Sequence, residues 1–129
     1  MAKTLTYDGK TVEYKESDVK FTIDGKSVKG ATGFLIDGTS LAPCNQVFIK
    51  TDLGITYKYS KAKGKLYLYH GKDVIKFTLG SNYAYFNNTK MLLGTPARII
   101  KDNSTGKSLV YVPSRFVASN FGLEYVWNK

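Results

Sequence analysis

The chain is nearly bare of the side chains that hold metals or build nucleophile–histidine pairs. It has one cysteine, Cys44, and one histidine, His70, in 129 residues. A single cysteine excludes an intrachain disulfide framework and a cysteine zinc site. A single imidazole removes multi-histidine metal sites and most nucleophile–histidine chemistry. No run approaches the roughly 18 apolar residues of a membrane-spanning helix. No phosphate-binding loop, dinucleotide fingerprint or His-x-x-x-His pattern occurs. The carboxylates are scattered, and Asp8, Asp24 and Asp37 fall at turns, where aspartate is a turn former. The chain therefore reads as not an enzyme, with no catalytic residue, no metal and no cofactor. The N-terminus enters a strand pattern at once and does not read as a charged-then-apolar leader, so the expectation is either a cytoplasmic protein or a mature piece with its export signal removed.

What is present is apolar, aromatic and basic. Hydrophobic residues make up 43% of the chain, too many for a disordered polypeptide, and ten tyrosines and seven phenylalanines dominate the aromatics. The length suits one compact domain over residues 1–129. The net charge is +9, and it is placed unevenly. Residues 4–59 carry seven lysines and seven acids, a balance of zero. Residues 60–129 carry nine lysines and two arginines against Asp73, Asp102 and Glu124, a balance of +8. That asymmetry points to a polyanionic neighbour. Its plain alternative is solubility, with lysines on solvated faces and protected sheet edges.

Strands dominate the pattern. Leu5 and Tyr7, Val12 and Tyr14, and Leu66 and Leu68 alternate with polar or opposite-facing residues, and Asp8-Gly9, Asp24-Gly25, Asp37-Gly38 and His70-Gly71 punctuate them. Asp-Gly between alternating apolar residues is a strong hairpin signal, because type I′ turns need positive φ. Two segments read as helices, roughly 44–53 and 114–121. Each follows a proline, Pro43 or Pro113, and each ends at a glycine, Gly54 or Gly122.

These landmarks align in two halves. Ser40-Leu41-Ala42-Pro43 corresponds to Val110-Tyr111-Val112-Pro113, and the segment from Gly54 to Tyr59 corresponds to Gly122 through Trp127. Tyr7-Asp8-Gly9-Lys10 matches Tyr69-His70-Gly71-Lys72, and Phe34-Leu35-Ile36 matches Arg98-Ile99-Ile100. The chain thus reads as two copies of one unit, about 4–59 and 66–127. The expected architecture is α+β: mostly antiparallel sheet curled around two short α-helices, with a pseudo-twofold internal repeat.

The segment Val112-Pro113-Ser114-Arg115-Phe116-Val117-Ala118, continuing through Gly122 to Trp127, resembles the copper amine oxidase N-terminal-like, or stalk, domain family. That family's repeat reads approximately V-P-x-R-F-x-A-x-x-x-G-x-x-V-x-W. The second half matches closely. The first departs, with Cys44-Asn45 in place of an apolar residue and arginine, and Tyr59 in place of tryptophan. The resemblance implies an exported protein of Gram-positive bacteria, extracellular or on the cell surface, with its export signal removed. It implies no copper and carries no catalytic residues.

Pro43, Gly54, Pro113, Arg115, Phe116, Gly122 and Trp127 are read as motif residues with structural roles. Arg115 is expected beside core residues, in an ion pair or a hydrogen bond to a strand with Glu124 as the candidate partner, and Trp127 in the core or on a sheet face. Cys44 is expected to be a small packed residue, and His70 a solvated turn residue. Tyr67 with Tyr69, and Tyr83 with Tyr85, share strand faces, with Leu66, Leu68, Ala84 and Phe86 turned the other way. Together with Lys61, Lys63, Lys65, Lys72 and Lys76 they form a candidate ligand surface for sugar rings and anionic groups. Cross-strand pairing that merely stabilises the sheet is the plain alternative.

The function expected is a non-catalytic cell-envelope module. It binds or positions a protein at peptidoglycan or an anionic wall polymer, or serves as a stalk or spacer. A protein–protein or self-association module is the second reading. A single-stranded nucleic-acid binder is the third. Against the third stands a basic set of seventeen lysines and two arginines, Arg98 and Arg115, since arginine supplies the bidentate contacts.

Overall fold

The computed structural model describes residues 2–15, 20–23, 25–28, 34–36, 39–49, 53–103 and 106–128. In chain order the strands are β1 (Ala2–Tyr7), β2 (Lys10–Lys15), β3 (Lys20–Ile23), β4 (Lys26–Val28), β5 (Phe34–Ile36) and β6 (Thr39–Pro43). A π-helical segment, Asn45–Ile49, leads to β7 (Ile55–Ser60). Then follow β8 (Lys65–His70), β9 (Asp73–Thr78), β10 (Tyr83–Phe86), β11 (Thr89–Leu92), β12 (Arg98–Asp102) and β13 (Lys107–Pro113). The α-helix α1 (Ser114–Asn120) and the strand β14 (Tyr125–Asn128) end the described chain. The architecture is therefore mostly antiparallel sheet with little helix, as the alternation predicts.

Turn chemistry sets the hairpins. Asp8 and Gly9 both take positive φ, +53° and +75°, and Tyr7 pairs with Lys10 across the two-residue loop. That is the type I′ geometry expected from the Asp-Gly signal. Asn87 also has positive φ, and its side chain locks the β10–β11 turn to β9. Its Oδ1 accepts from the Val74 amide at 3.0 Å, and its Nδ2 donates to Asp73 at 3.1 Å.

The strands form three sheets. The largest has the order β2-β1-β12-β13-β6-β5, the second is the meander β11-β10-β9-β8-β7, and the third is β14-β3-β4. Two side-by-side sheets, one for each half, were the expectation, and the strand order differs from it. β6 and β13 pair with each other, so one sheet draws strands from both halves of the chain. The physical reason is burial. Leu41, Ala42, Tyr111 and Val112 are all buried, and strands covered on both faces are satisfied only inside a sheet.

Alternation then divides the apolar residues between the two faces of that sheet. Ala42 and Val112 join the main core with Leu66, Leu68, Ile75, Phe77 and Ala84 of the meander. Leu41, Ile100 and Tyr111 join Leu5 and Tyr7 in a smaller core under the β1–β2 hairpin. The helical segments plug the main core with Val47, Phe48, Val117 and Phe121.

Both helices are shorter than expected. The first covers five residues and is π-wound, in place of an α-helix over 44–53; residues 50–52 of that span lie outside the described residues. Asn45, Val47, Phe48 and Ile49 all rank low in helix propensity, so core burial decides this segment. The second ends at Asn120 with a Schellman cap. The Leu123 amide donates to the Ala118 carbonyl at 2.8 Å and the Gly122 amide to Ser119 at 3.3 Å, with Gly122 at φ +70°. Gly54 takes the matching φ of +75° after the first segment. Gly122 thus sits where the helix-stop reading puts it, while Gly54 follows residues 50–52, which lie outside the described residues, so its helix stop is not seen.

Candidate functional surface

The outward face of the five-stranded meander carries the predicted tyrosines. Leu66, Leu68 and Ala84 are buried in the main core and Phe86 packs against it, which turns Tyr67, Tyr69, Tyr83 and Tyr85 outward. Strand register then places lysines between them. Lys58 pairs with Tyr67, Tyr67 with Lys76, Lys76 with Tyr85, and Tyr85 with Lys90. One row of five residues, alternating lysine and tyrosine, crosses all five strands. Lys65 and Thr78 lie opposite each other on the same face, one step along the strands. The face carries no carboxylate: Asp73 pairs with His70 and shares the parity of Ile75 and Phe77.

The aromatic rings hold the ammonium groups. Lys76 Nζ lies 6.0 Å from the Tyr67 ring centre and 5.5 Å from that of Tyr85, so it sits between two rings. Lys90 Nζ lies 4.3 Å over Tyr83, and Tyr83 meets Tyr85 edge to face at 5.9 Å. These cation–π contacts restrict the lysines and shield no charge with an acid.

The other predicted lysines are not gathered into the row. Lys61 and Lys63 are exposed in the β7–β8 turn, and Lys72 is exposed in the β8–β9 turn. Those turns lie at opposite ends of β8, a six-residue strand spanning about 20 Å. The dense run from Lys58 to Lys76 in sequence is thus a line of lysines plus two flanking tips. Lys58 and Lys90 complete the row and lay outside the sequence-based set. Their signal is the cross-strand register, which composition does not carry.

Several motif residues are placed differently from expectation. Arg115 is exposed on α1, not set among core residues. Its neighbour Phe116 packs on Phe77 instead, ring centres 5.9 Å apart. His70 is half-buried against Phe121, with ring centres 5.2 Å apart, and not a solvated turn residue. It ends β8, so a buried-face parity overrides the turn tip. Pro43 and Pro113 are buried and close their strands directly before the helical segments. Trp127 pairs with Phe21 in the β14–β3 ladder, and its side chain lies outside the described residues.

The buried arginine is Arg98. Its Nη1 donates to Asp8 Oδ2 at 2.7 Å, its Nε to the Pro96 carbonyl at 3.2 Å, and its Nη2 to the Thr95 hydroxyl. Its guanidinium also lies 5.3 Å from the Tyr7 ring centre. It ties the β1–β2 turn to β12, a role that no local pattern announces.

On the inner side of the meander edge, Pro43, Cys44, Asn45, Tyr57, Tyr59 and Leu109 line a groove of about 190 Å³. Cys44 is itself buried, and burial pushes its thiol up from 9.0 to about 12. It is a packed residue and not an activated nucleophile at neutral pH. Among the described residues, no three of histidine, cysteine, aspartate and glutamate converge on one point. With His70 stacked on Phe121, the chain's residues do not fit a copper centre. Among the described residues, no helix is long and apolar enough to cross a membrane.

No curated protein and no solved structure matches the chain. The model of the copper amine oxidase N-terminal domain matches residues 22–129, which leaves the β1–β2 hairpin outside the match. The chain belongs to the copper amine oxidase N-terminal domain family, a non-catalytic module compatible with a stalk or spacer role.

Proposed function

We propose that this domain is an exported, non-catalytic module of the Gram-positive cell envelope. It holds a protein against an anionic wall polymer through the outward face of the β7–β11 meander. The lysine–tyrosine row carries this reading: five paired residues across five strands, with no carboxylate on the same face. Such a face attracts a polyanion and offers phenol rings and hydroxyls to sugars. The other half of the molecule supplies the scaffold.

Two copies of one unit account for this division of labour. The order hairpin, hairpin, strand, strand, helical segment, strand runs twice along the chain. The β6–β13 pairing supports the same reading. Tyr111 pairs with Pro43 and Pro113 with Leu41, so the equivalent residues Ala42 and Val112 oppose each other at the centre. A twofold axis through that pair relates the halves. The β1–β2 and β8–β9 hairpins then differ: one joins the β12 edge, the other enters the meander.

The test is sedimentation of the domain with purified Gram-positive cell walls. Retention at low salt that declines as salt rises is expected. No retention at low salt would leave the spacer role alone. Self-association is the second reading, favoured by Leu92, 80% exposed on the edge strand β11. Light scattering of the purified domain reports it directly.

A further inference from the structure

The spacing of the lysine row restricts the kind of polymer that fits it. Lys58, Lys76 and Lys90 lie on β7, β9 and β11, which are alternate strands of the meander. Neighbouring strands lie about 4.8 Å apart, so the backbone positions of the three lysines repeat at roughly 9–10 Å along a line perpendicular to the strands, and their flexible side chains reach out from those points. Tyr67 and Tyr85 occupy the intervening strands in the same row. An extended pyranose chain advances by about one strand spacing per ring. A glycan laid across the sheet therefore sets one ring over each strand, alternately on lysine and tyrosine.

We infer that this surface takes an anionic glycan bearing one carboxylate on every second sugar, running across the strands along the row. The inference rests on the reading of this face as an anion-binding surface, and it specifies the ligand's period and direction. The central cation is the most enclosed of the three: Lys58 and Lys90 are exposed. Lys76 is half-buried and lies between the Tyr67 and Tyr85 rings, so it loses less side-chain freedom on binding than a free surface lysine. The tyrosines have work as stacking platforms only if the ligand carries rings beside its charges. A polyol phosphate chain offers no ring. A polymer with an acid on every ring sets half of its charges over tyrosines and not over lysines.

The experiment is titration calorimetry of the intact domain at low salt with four probes. They are a hyaluronan octasaccharide, with glucuronate on alternate rings, an oligogalacturonate, with acid on every ring, poly(glycerol phosphate), and neutral chitin oligomers. Concentrations are matched by anionic group, or by sugar ring for chitin. The hyaluronan octasaccharide is expected to bind at least about ten-fold tighter than each of the others. K76Q should lose most of that preference, and K76R, which keeps the charge, should retain it. Equal or tighter binding of poly(glycerol phosphate) or oligogalacturonate overturns the period while leaving an anion-binding face in place. Binding of no anionic probe overturns both readings. Chitin binding as tight as hyaluronan removes the role assigned to the lysines.

Discussion

Burial decides what single residues do here, and Cys44 shows it most directly. Its thiol is buried at the start of the π-helical segment, and desolvation raises it from 9.0 to about 12. The folded state therefore keeps this proton over a range in which the unfolded chain has lost it. Stability from this group is complete below about pH 9 and falls as pH rises toward 12. Each pH unit in that window costs about 1.4 kcal/mol. The contribution is read as a difference between the wild type and a variant without the thiol. Urea unfolding of the wild type and Cys44→Ala, measured at pH 8, 9.5 and 10.5, should show the wild type losing stability faster above pH 9. Parallel curves would mean that the thiol is solvated in the native state. The residue was legible as a packed position from its place beside Pro43 and from its counterpart Ser114, which is also buried. Arg98 was not legible, because Asp8, its ion-pair partner, stands far off in sequence and is brought to it only by the pairing of β1 with β12.

Among the elements, the β1–β2 hairpin stands at one edge of the six-stranded sheet. Its ladder to β12 runs through Leu5–Asp102 and Thr6–Lys101. Asn103 adds side-chain bonds to the Thr4 and Thr6 hydroxyls at 3.0 and 2.9 Å, and Arg98 grips Asp8. Leu5 and Tyr7 cover Leu41, Ile100 and Tyr111. Removal of residues 1–15 should uncover that small core and the β12 edge together. A loss of about 2–4 kcal/mol is expected from the apolar area alone, along with concentration-dependent association through the open edge. Urea unfolding and light scattering measure the two effects. An unchanged midpoint and a monomer like the intact chain would show that the hairpin is an ornament. Hairpins such as this one were legible wherever Asp-Gly stood between alternating residues. Their destinations were not: a turn does not say whether its hairpin joins a sheet edge, as β1–β2 does, or enters a meander, as β8–β9 does. The first helix failed for a related reason. Pro43 and Gly54 bracket it correctly, but the core's demand for both Val47 and Phe48 decides how the chain winds between them.

At the scale of the whole molecule, the excess positive charge becomes informative only once it is placed. A net charge of +9 attracts any polyanion in proportion to total charge, whatever the fold. A surface that recognises a polymer depends instead on where the charges stand. The two ideas separate in a pair of triple variants. Lys58→Glu, Lys76→Glu and Lys90→Glu remove the row on the meander. Lys10→Glu, Lys101→Glu and Lys107→Glu change three lysines of the six-stranded sheet. Each triple takes the net charge from +9 to +3, since each reversal removes two units. Retention on purified cell walls at low salt should fall to background for the first triple and stay within a few-fold of wild type for the second. Circular dichroism confirms that both remain folded. Equal losses would reduce the row to a share of the net charge. Loss confined to the meander triple would make the five-stranded face the contact surface and the six-stranded sheet its support.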